Sequence, residues 1–119
     1  MDSFEDVKIF MEACDQTETG FGQQTDLYWS LIKEEFDELY EAIVNKDIVE
    51  VADACADLKW VIEGLEHTLQ IPQQEVWDEV ARSNLSKISP TGKVMKREDG
   101  KVMKPDTYSP PDIESIIKV

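Results

Sequence analysis

Two helical stretches of this chain place carboxylates where the helical repeat calls for apolar side chains. In the first, Glu35 has Tyr28 seven residues before it, Leu31 four before, Leu39 four after and Ala42 seven after, so it lies inside the apolar stripe. Glu38 sits at the edge of that stripe beside Leu31 and Ala42; Asp37 and Glu41 fall on the outer face, with Glu34 between the two groups. In the second, Glu50, Asp53 and Asp57 share one stripe flanked by Val49, Ala54, Ala56, Trp60 and Val61. Like charges at i,i+3 or i,i+4 each destabilise a helix by about 0.2–0.5 kcal/mol, so the crowding of Glu34, Glu35, Asp37, Glu38 and Glu41 needs an offset. A solvated acidic face explains the outward members. It does not explain carboxylates among apolar neighbours, which persist only when paired, protonated or bound to a cation. Lys33, Lys46 and Lys59 are too few to pair them all, and Lys59 points away from the second stripe. A capping box accounts for Glu50 alone, but Asp53 and Asp57 have no such explanation.

The rest of the chain supplies helices to carry these stripes. Ser3 is a candidate N-cap for a first helix with Val7, Phe10, Met11 and Cys14 on one face, ending near Asp15. After the Gly20-Phe21-Gly22 break, a second helix starts near Thr25 or Asp26, turns Tyr28, Ile32, Phe36, Leu39 and Ile43 inward, and stops near Asn45. Asp47 caps a third helix carrying Val51, Cys55, Leu58, Ile62, Leu65 and Leu69, which forms a hairpin with the second. A fourth runs from Pro72 to about Leu85 with Val76, Trp77, Val80 and Ala81 inward. The expected class is all-α: a four-helix bundle over residues 1–86, with residues 87–119 as a basic tail packing on the same domain. In that tail, Lys93-Val94-Met95-Lys96 and its near copy Lys101-Val102-Met103-Lys104 flank Glu98-Asp99-Gly100, a pattern that predicts a β-hairpin. Pro105, Pro110 and Pro111 predict an extended strap, and Asp112 opens a short helical turn through Ile117.

Charge divides along the same line. Residues 1–85 hold 21 acids against 5 bases, whereas residues 86–119 hold 5 acids against 7 bases, within a chain of 119 residues and net charge -14. So acidic a protein is a poor general nucleic-acid binder, because every phosphate contact needs a cation. The acidic start Met1-Asp2-Ser3-Phe4-Glu5-Asp6 is unlike a secretory signal, and the apolar runs are too short to cross a bilayer; a cytoplasmic protein with no membrane partner is expected. Cys14 and Cys55, with no C-x-x-C, read as buried free thiols.

Facing acidic stripes on a helix hairpin suit hard cations, Mg²⁺ or Mn²⁺. A di-iron site would want Glu-x-x-His, but Gly64 precedes His67 by three residues, leaving His67 as a plain surface histidine. Glu34-Glu35-x-x-Glu38 followed by Glu50-x-x-Asp53 resembles the E-E-x-x-E … E-x-x-D signature of the MazG-like all-α nucleoside triphosphate pyrophosphohydrolases, which include dimeric dUTPases, dCTP pyrophosphatases and phosphoribosyl-ATP pyrophosphohydrolase. The resemblance covers residues 25–85, and residues 77–87 (WDEVARSNLSK) and the tail are similar to short single-domain members from bacteria and their phages. The eleven residues between Glu38 and Glu50 are few for that family, which shortens the hairpin without removing a ligand. The resemblance implies Mg²⁺-dependent cleavage between the α and β phosphates, with Glu35, Glu38, Glu50 and Asp53 as metal ligands and Glu34 orienting or deprotonating the attacking water. Asp57, outside the signature, is a second carboxylate layer or a further metal contact. Asn84 and Lys87 match the family's phosphate-binding segment, and Lys93, Lys96, Arg97, Lys101 and Lys104 are further cations for the substrate. Phe21, Tyr28, Trp60 and Trp77 are aromatic candidates for the base. A homodimer or homotetramer is also implied.

Two other readings fit parts of the pattern. Phosphoribosyl-ATP could replace a free nucleotide as substrate, although no accompanying cyclohydrolase segment is present in the sequence. Alternatively, an acidic interaction module would meet a basic partner through outward acids such as Asp37, Glu41, Glu63, Glu66 and Glu79.

Overall fold

The computed structural model describes residues 2–117. In chain order it contains α1 (Ser3–Ala13), α2 (Gln23–Val44), α3 (Ile48–Thr68), α4 (Gln73–Leu85) and α5 (Ile113–Ile117). Two compact units divide after Ile71: Met1–Ile71, holding α1 to α3, and Pro72–Val119, holding α4 and α5. The all-helical class matches the sequence expectation.

Within the first unit, α2 and α3 form the expected hairpin and α1 packs on α3. Val7, Met11, Tyr28 and Val61 make the core, with Leu31, Ile32, Leu58 and Leu65 against it. The buried line of α2 runs through Gln24, Tyr28 and Ala42, and that of α3 through Ala54, Val61, Gly64 and Thr68. Glu35 lies on the first line and Asp57 on the second, so the stripes that carry the anomalous carboxylates are those that meet. The other apolar stripe expected to face inward is divided: Phe36 is 60% exposed and Ile43 is also exposed. Phe10 is exposed too. Helices apolar on two sides can bury only one of them against a single neighbour.

The hairpin closes tightly because Gly64 faces Tyr28: a Cβ at Gly64 would lie 2.1 Å from Tyr28 Cε1. The Tyr28 hydroxyl donates to Gln16 Oε1 at 2.5 Å, and Gln24 Nε2 donates to Thr68 Oγ1 at 2.8 Å, so these buried polar side chains are satisfied. Three helix ends share one device. Asp15, Lys46 and Gln70 follow α1, α2 and α3 in the left-handed conformation, with φ of 57°, 54° and 54°. In each case the next residue's N–H reaches back five residues: Gln16 to Met11 O at 2.9 Å, Asp47 to Ala42 O at 3.1 Å and Ile71 to Glu66 O at 2.9 Å. This is the Schellman arrangement, built here without glycine.

Several local expectations are corrected. Asp2, not Ser3, caps α1, accepting from the Phe4 N–H at 3.0 Å. Asp47 does cap α3, accepting from the Glu50 N–H at 3.2 Å, but its own N–H is taken by Ala42 O, so Glu50 is not held as the reciprocal half of a capping box. Cys14 is free but exposed, and Cys55 is half-buried. His67 is not a plain surface histidine: its Nε2 lies 2.7 Å from Phe4 O and its ring stacks on Phe4 at 3.6 Å, tying the start of α1 to α3.

In the second unit the predicted hairpin is not seen. Among the described residues no strand forms; a single antiparallel bridge joins Lys96 and Val102 around a turn in which the Gly100 N–H donates to Arg97 O at 2.9 Å. Asp-Gly makes its turn, but a lone pair of short strands lacks a packed face to extend it. The strap follows α4, held by Glu79 and Arg82. Arg82 Nε and Nη2 donate to the two Glu79 carboxylate oxygens, both at 2.8 Å; Nη2 also reaches Pro110 O at 3.1 Å, and the Asp112 N–H donates to Glu79 Oε2 at 2.7 Å. Trp77, expected inward, is 64% exposed, and Ser83 is the buried residue of α4.

Candidate active site

The two helices of the hairpin bring Glu34, Glu35 and Glu38 of α2 toward Asp53 and Asp57 of α3. Glu35 is the centre of the group. Its Oε2 is buried with no hydrogen-bond partner among the described residues, an arrangement costly for an ionised carboxylate. Burial first, then the negative charges of Glu38, Asp57 and Glu34, push its pKa up to about 7. Asp57 is raised as well, by burial first and then by Asp53 and Glu38, with a side-chain hydrogen bond to Asp53. Glu35, beside Glu38 on α2, and Asp57, beside Asp53 on α3, therefore lie within electrostatic reach of one another across the hairpin. Asp57, set apart from the ligand set on sequence grounds, belongs to this electrostatic group as fully as Asp53 does.

Glu50 stands one step away. It lines a cleft of about 300 Å³ together with Glu38, Glu41, Ala42, Asn45 and Asp47, at the end of the hairpin where α2 turns into α3. Glu38 thus belongs both to the carboxylate pairs and to this cleft. The contribution of Glu41, Asn45 and Asp47 was not read from the sequence; the signal for it is the short Asn45-Lys46-Asp47 connection, which must place its flanking side chains beside Glu38 and Glu50. Among the described residues no three His, Cys, Asp or Glu side chains stand close enough to form a ready metal group. Repulsion between like charges favours that separation. The donor set nevertheless fits a hard divalent cation: all oxygens, one of them buried and unpartnered, with no Lys or Arg in an ion pair to any of these acids among the described residues.

Tyr28 is core, 2% exposed; Phe21 is 90% exposed, and Trp60 meets Phe10 edge-on at 5.6 Å. In the second unit Lys87 Nζ donates to Asn84 Oδ1 at 2.9 Å. Arg97 is engaged by Asp99 at 2.7 Å, and Lys93 is exposed beyond α4.

The model of the phosphoribosyl-ATP pyrophosphohydrolase family matches residues 8–84. The chain belongs to that family. It is accordingly a member of the MazG-like all-α superfamily. The match spans α2, α3 and the whole carboxylate group, and it points to pyrophosphohydrolase chemistry on an acid anhydride, generally dependent on a divalent metal in this family. No curated protein matches the chain. No helix among the described residues is long and apolar enough to cross a membrane.

Proposed function

We propose that this protein hydrolyses a nucleoside triphosphate between its α and β phosphates, releasing a monophosphate and pyrophosphate, with Mg²⁺ as cofactor and Mn²⁺ as a possible substitute. The observation that carries the reading is the buried, unpartnered Glu35 Oε2 facing further carboxylates across a helix hairpin. Stability alone would favour an apolar residue there; a recurrent cationic ligand accounts for the carboxylate.

In this reading Glu35, Glu38, Glu50 and Asp53 hold the metal, and Asp57 supports Asp53. When bound, the ion neutralises charge on the phosphate oxygens and lowers the pKa of a bound water. The protein's own residues do the rest. Glu34 is exposed beside Glu35 and orients the attacking water as its base. The rigid α2–α3 pairing holds the two carboxylate rows at a set separation, so little reorganisation accompanies the reaction. Asn84 and Lys87, with Lys93 and Arg97 as further cations, receive the polyphosphate.

The family match favours a second substrate, phosphoribosyl-ATP, which carries the same triphosphate. Pyrophosphate release from deoxy- and ribonucleoside triphosphates and from phosphoribosyl-ATP, with and without Mg²⁺, decides between them. Mg²⁺-dependent release that disappears in Glu38→Gln supports the reaction and names the substrate. A folded protein that releases nothing from any of them and gains no thermal stability from Mg²⁺ overturns the proposal in favour of an acidic interaction module.

We also propose that copies of the chain self-associate. Ile48, 77% exposed, and Val49, Phe36, Tyr40 and Ile43 are large apolar side chains left exposed on α2 and α3, the kind of surface that association covers. Light scattering at micromolar concentration tests this; a monomer alone would overturn it.

A further inference from the structure

The α2–α3 hairpin has a readable register. Gln24 Nε2 donates to Thr68 Oγ1 at 2.8 Å, and a Cβ on Gly64 would lie 2.1 Å from Tyr28 Cε1, so Gln24 stands opposite Thr68 and Tyr28 opposite Gly64. The two contacts agree, because four residues forward on α2 is four residues back on α3, as antiparallel helices require. Continued at alternating steps of three and four, the seam sets Leu31 opposite Val61, Glu35 opposite Asp57, Glu38 opposite Ala54 and Ala42 opposite Glu50. Burial checks this assignment: every buried residue of the two helices, Gln24, Tyr28 and Ala42 on α2 and Ala54, Val61, Gly64 and Thr68 on α3, is a seam position.

Among these layers one alone carries an acid on both helices. Glu38 and Glu50 each face an alanine, whereas Glu35 faces Asp57. Asp53 is one residue before Ala54, so it is turned about 100° off the seam; it is exposed, while Asp57 is half-buried. The charges follow the register, since Asp57 is the α3 acid whose charge acts on Glu35. Two carboxylates opposite each other between packed helices repel, and an apolar pair such as Leu31 with Val61 would hold the hairpin better. Glu35 Oε2 is buried and has no hydrogen-bond partner among the described residues, so no side chain offsets that repulsion. A divalent cation held by oxygens of both acids would offset it.

We propose that Asp57 is itself a cation-holding residue, sharing a divalent ion with Glu35 across the seam, beyond its support of Asp53. The inference rests on the metal-dependent function proposed above and adds to it a ligand outside the Glu34-Glu35-x-x-Glu38 and Glu50-x-x-Asp53 spacing.

The test needs no nucleotide. Mn²⁺ is titrated into the full-length protein and the heat of binding followed. Asp57→Asn, which keeps the shape and removes the charge, is expected to weaken Mn²⁺ binding at least about tenfold. Asp37→Asn, the same change at an exposed position on the outer face of α2, alters it by less than about twofold. A role exercised only through Asp53 could produce the first loss, so the ligand is identified by its donor atom. Asp57→Cys places a soft thiolate at the seam, and Cd²⁺ should then give a thiolate-to-metal absorption band stronger than in the natural protein, which has Cys14 and Cys55, or in Asp37→Cys. Circular dichroism in EDTA shows whether Asp57→Cys keeps its helices; if it does not, Asp57→Asn compared with Asp37→Asn decides the question. Equal Mn²⁺ affinities in those two variants, or a folded Asp57→Cys with no added Cd²⁺ band, overturns the assignment. Pyrophosphate release separates it from the reaction. Mn²⁺ binding that is lost in Asp57→Asn, in a protein that cleaves no nucleotide, keeps the ligand and removes the reaction; Mg²⁺-dependent release with Mn²⁺ affinity unaltered in Asp57→Asn does the reverse.

Discussion

Glu35 shows how a single side chain can set stability against function. Its buried Oε2 lacks a partner and its pKa stands at about 7, so an amide in its place removes an unfavourable charge and the repulsion of Glu38 and Asp57. Glu35→Gln should therefore melt higher than the natural protein in EDTA at pH 8, while losing the stabilisation that Mg²⁺ confers by binding the folded state. A thermal scan with and without Mg²⁺ checks both parts, and a melting temperature lowered in EDTA would count against the strain at this position. Lys46 makes a different residue-scale case. Its φ of 54° costs a non-glycine residue about 1–2 kcal/mol. Lys46→Gly should then stabilise the α2–α3 turn by about 0.5–1 kcal/mol once glycine's extra chain entropy is subtracted, as chemical denaturation would report.

Between elements, the close approach of α2 and α3 depends on Gly64. Gly64→Ala drives a methyl into the Tyr28 ring, which cannot retreat while its hydroxyl is held by Gln16. The expected loss is about 1–3 kcal/mol, measured by denaturant unfolding, together with weaker Mg²⁺ affinity because the carboxylate rows move apart. The strap on α4 depends on charge instead. Glu79 has its pKa lowered to about 2, first by the hydrogen bonds from Arg82 and then by that from the Asp112 N–H. A carboxylate with a depressed folded pKa contributes stability that is complete above its ordinary value of 4.5 and is lost as pH falls through about 2. Arg82 stays charged throughout. Cleavage of the strap by an acid protease, relative to an unstructured control peptide, should consequently accelerate as pH drops from about 4.5 toward 2, and Glu79→Gln should be as susceptible already at pH 4.5, without that acid dependence.

For the whole molecule, the division of labour follows charge. The acidic first unit holds the carboxylate group and the second carries the basic tail, and on the function proposed above the first would hold the metal and the second would receive phosphate. Asp53→Asn should reduce turnover at least about a hundredfold, because losing a proposed ligand exceeds the roughly 10–100-fold cost of losing an outer-shell partner, while leaving the helical content unchanged. Pyrophosphate release and circular dichroism, measured on the same preparation, check both parts. If the self-association proposed above holds, the loss should appear at every protein concentration, because the residue acts within the hairpin and not by assembling it.

Periodicity alone determined the helices, their order, the α2–α3 hairpin and the anomalous positions of Glu35, Glu38, Asp53 and Asp57, because a 3.6-residue repeat reports which residues share a face wherever the helix ends up. The spacing of Glu34-Glu35-x-x-Glu38 and Glu50-x-x-Asp53 pointed to the family on the same footing. Tertiary structure decided which of two apolar stripes on α2 and α3 is buried, since each helix could satisfy its pattern with either. It also decided that Gly64 is a packing position rather than a spacer. The predicted hairpin of the tail failed for the same reason: alternation specifies a strand only when another surface covers one of its faces, and residues 93–104 offer a turn and a single bridge without that cover.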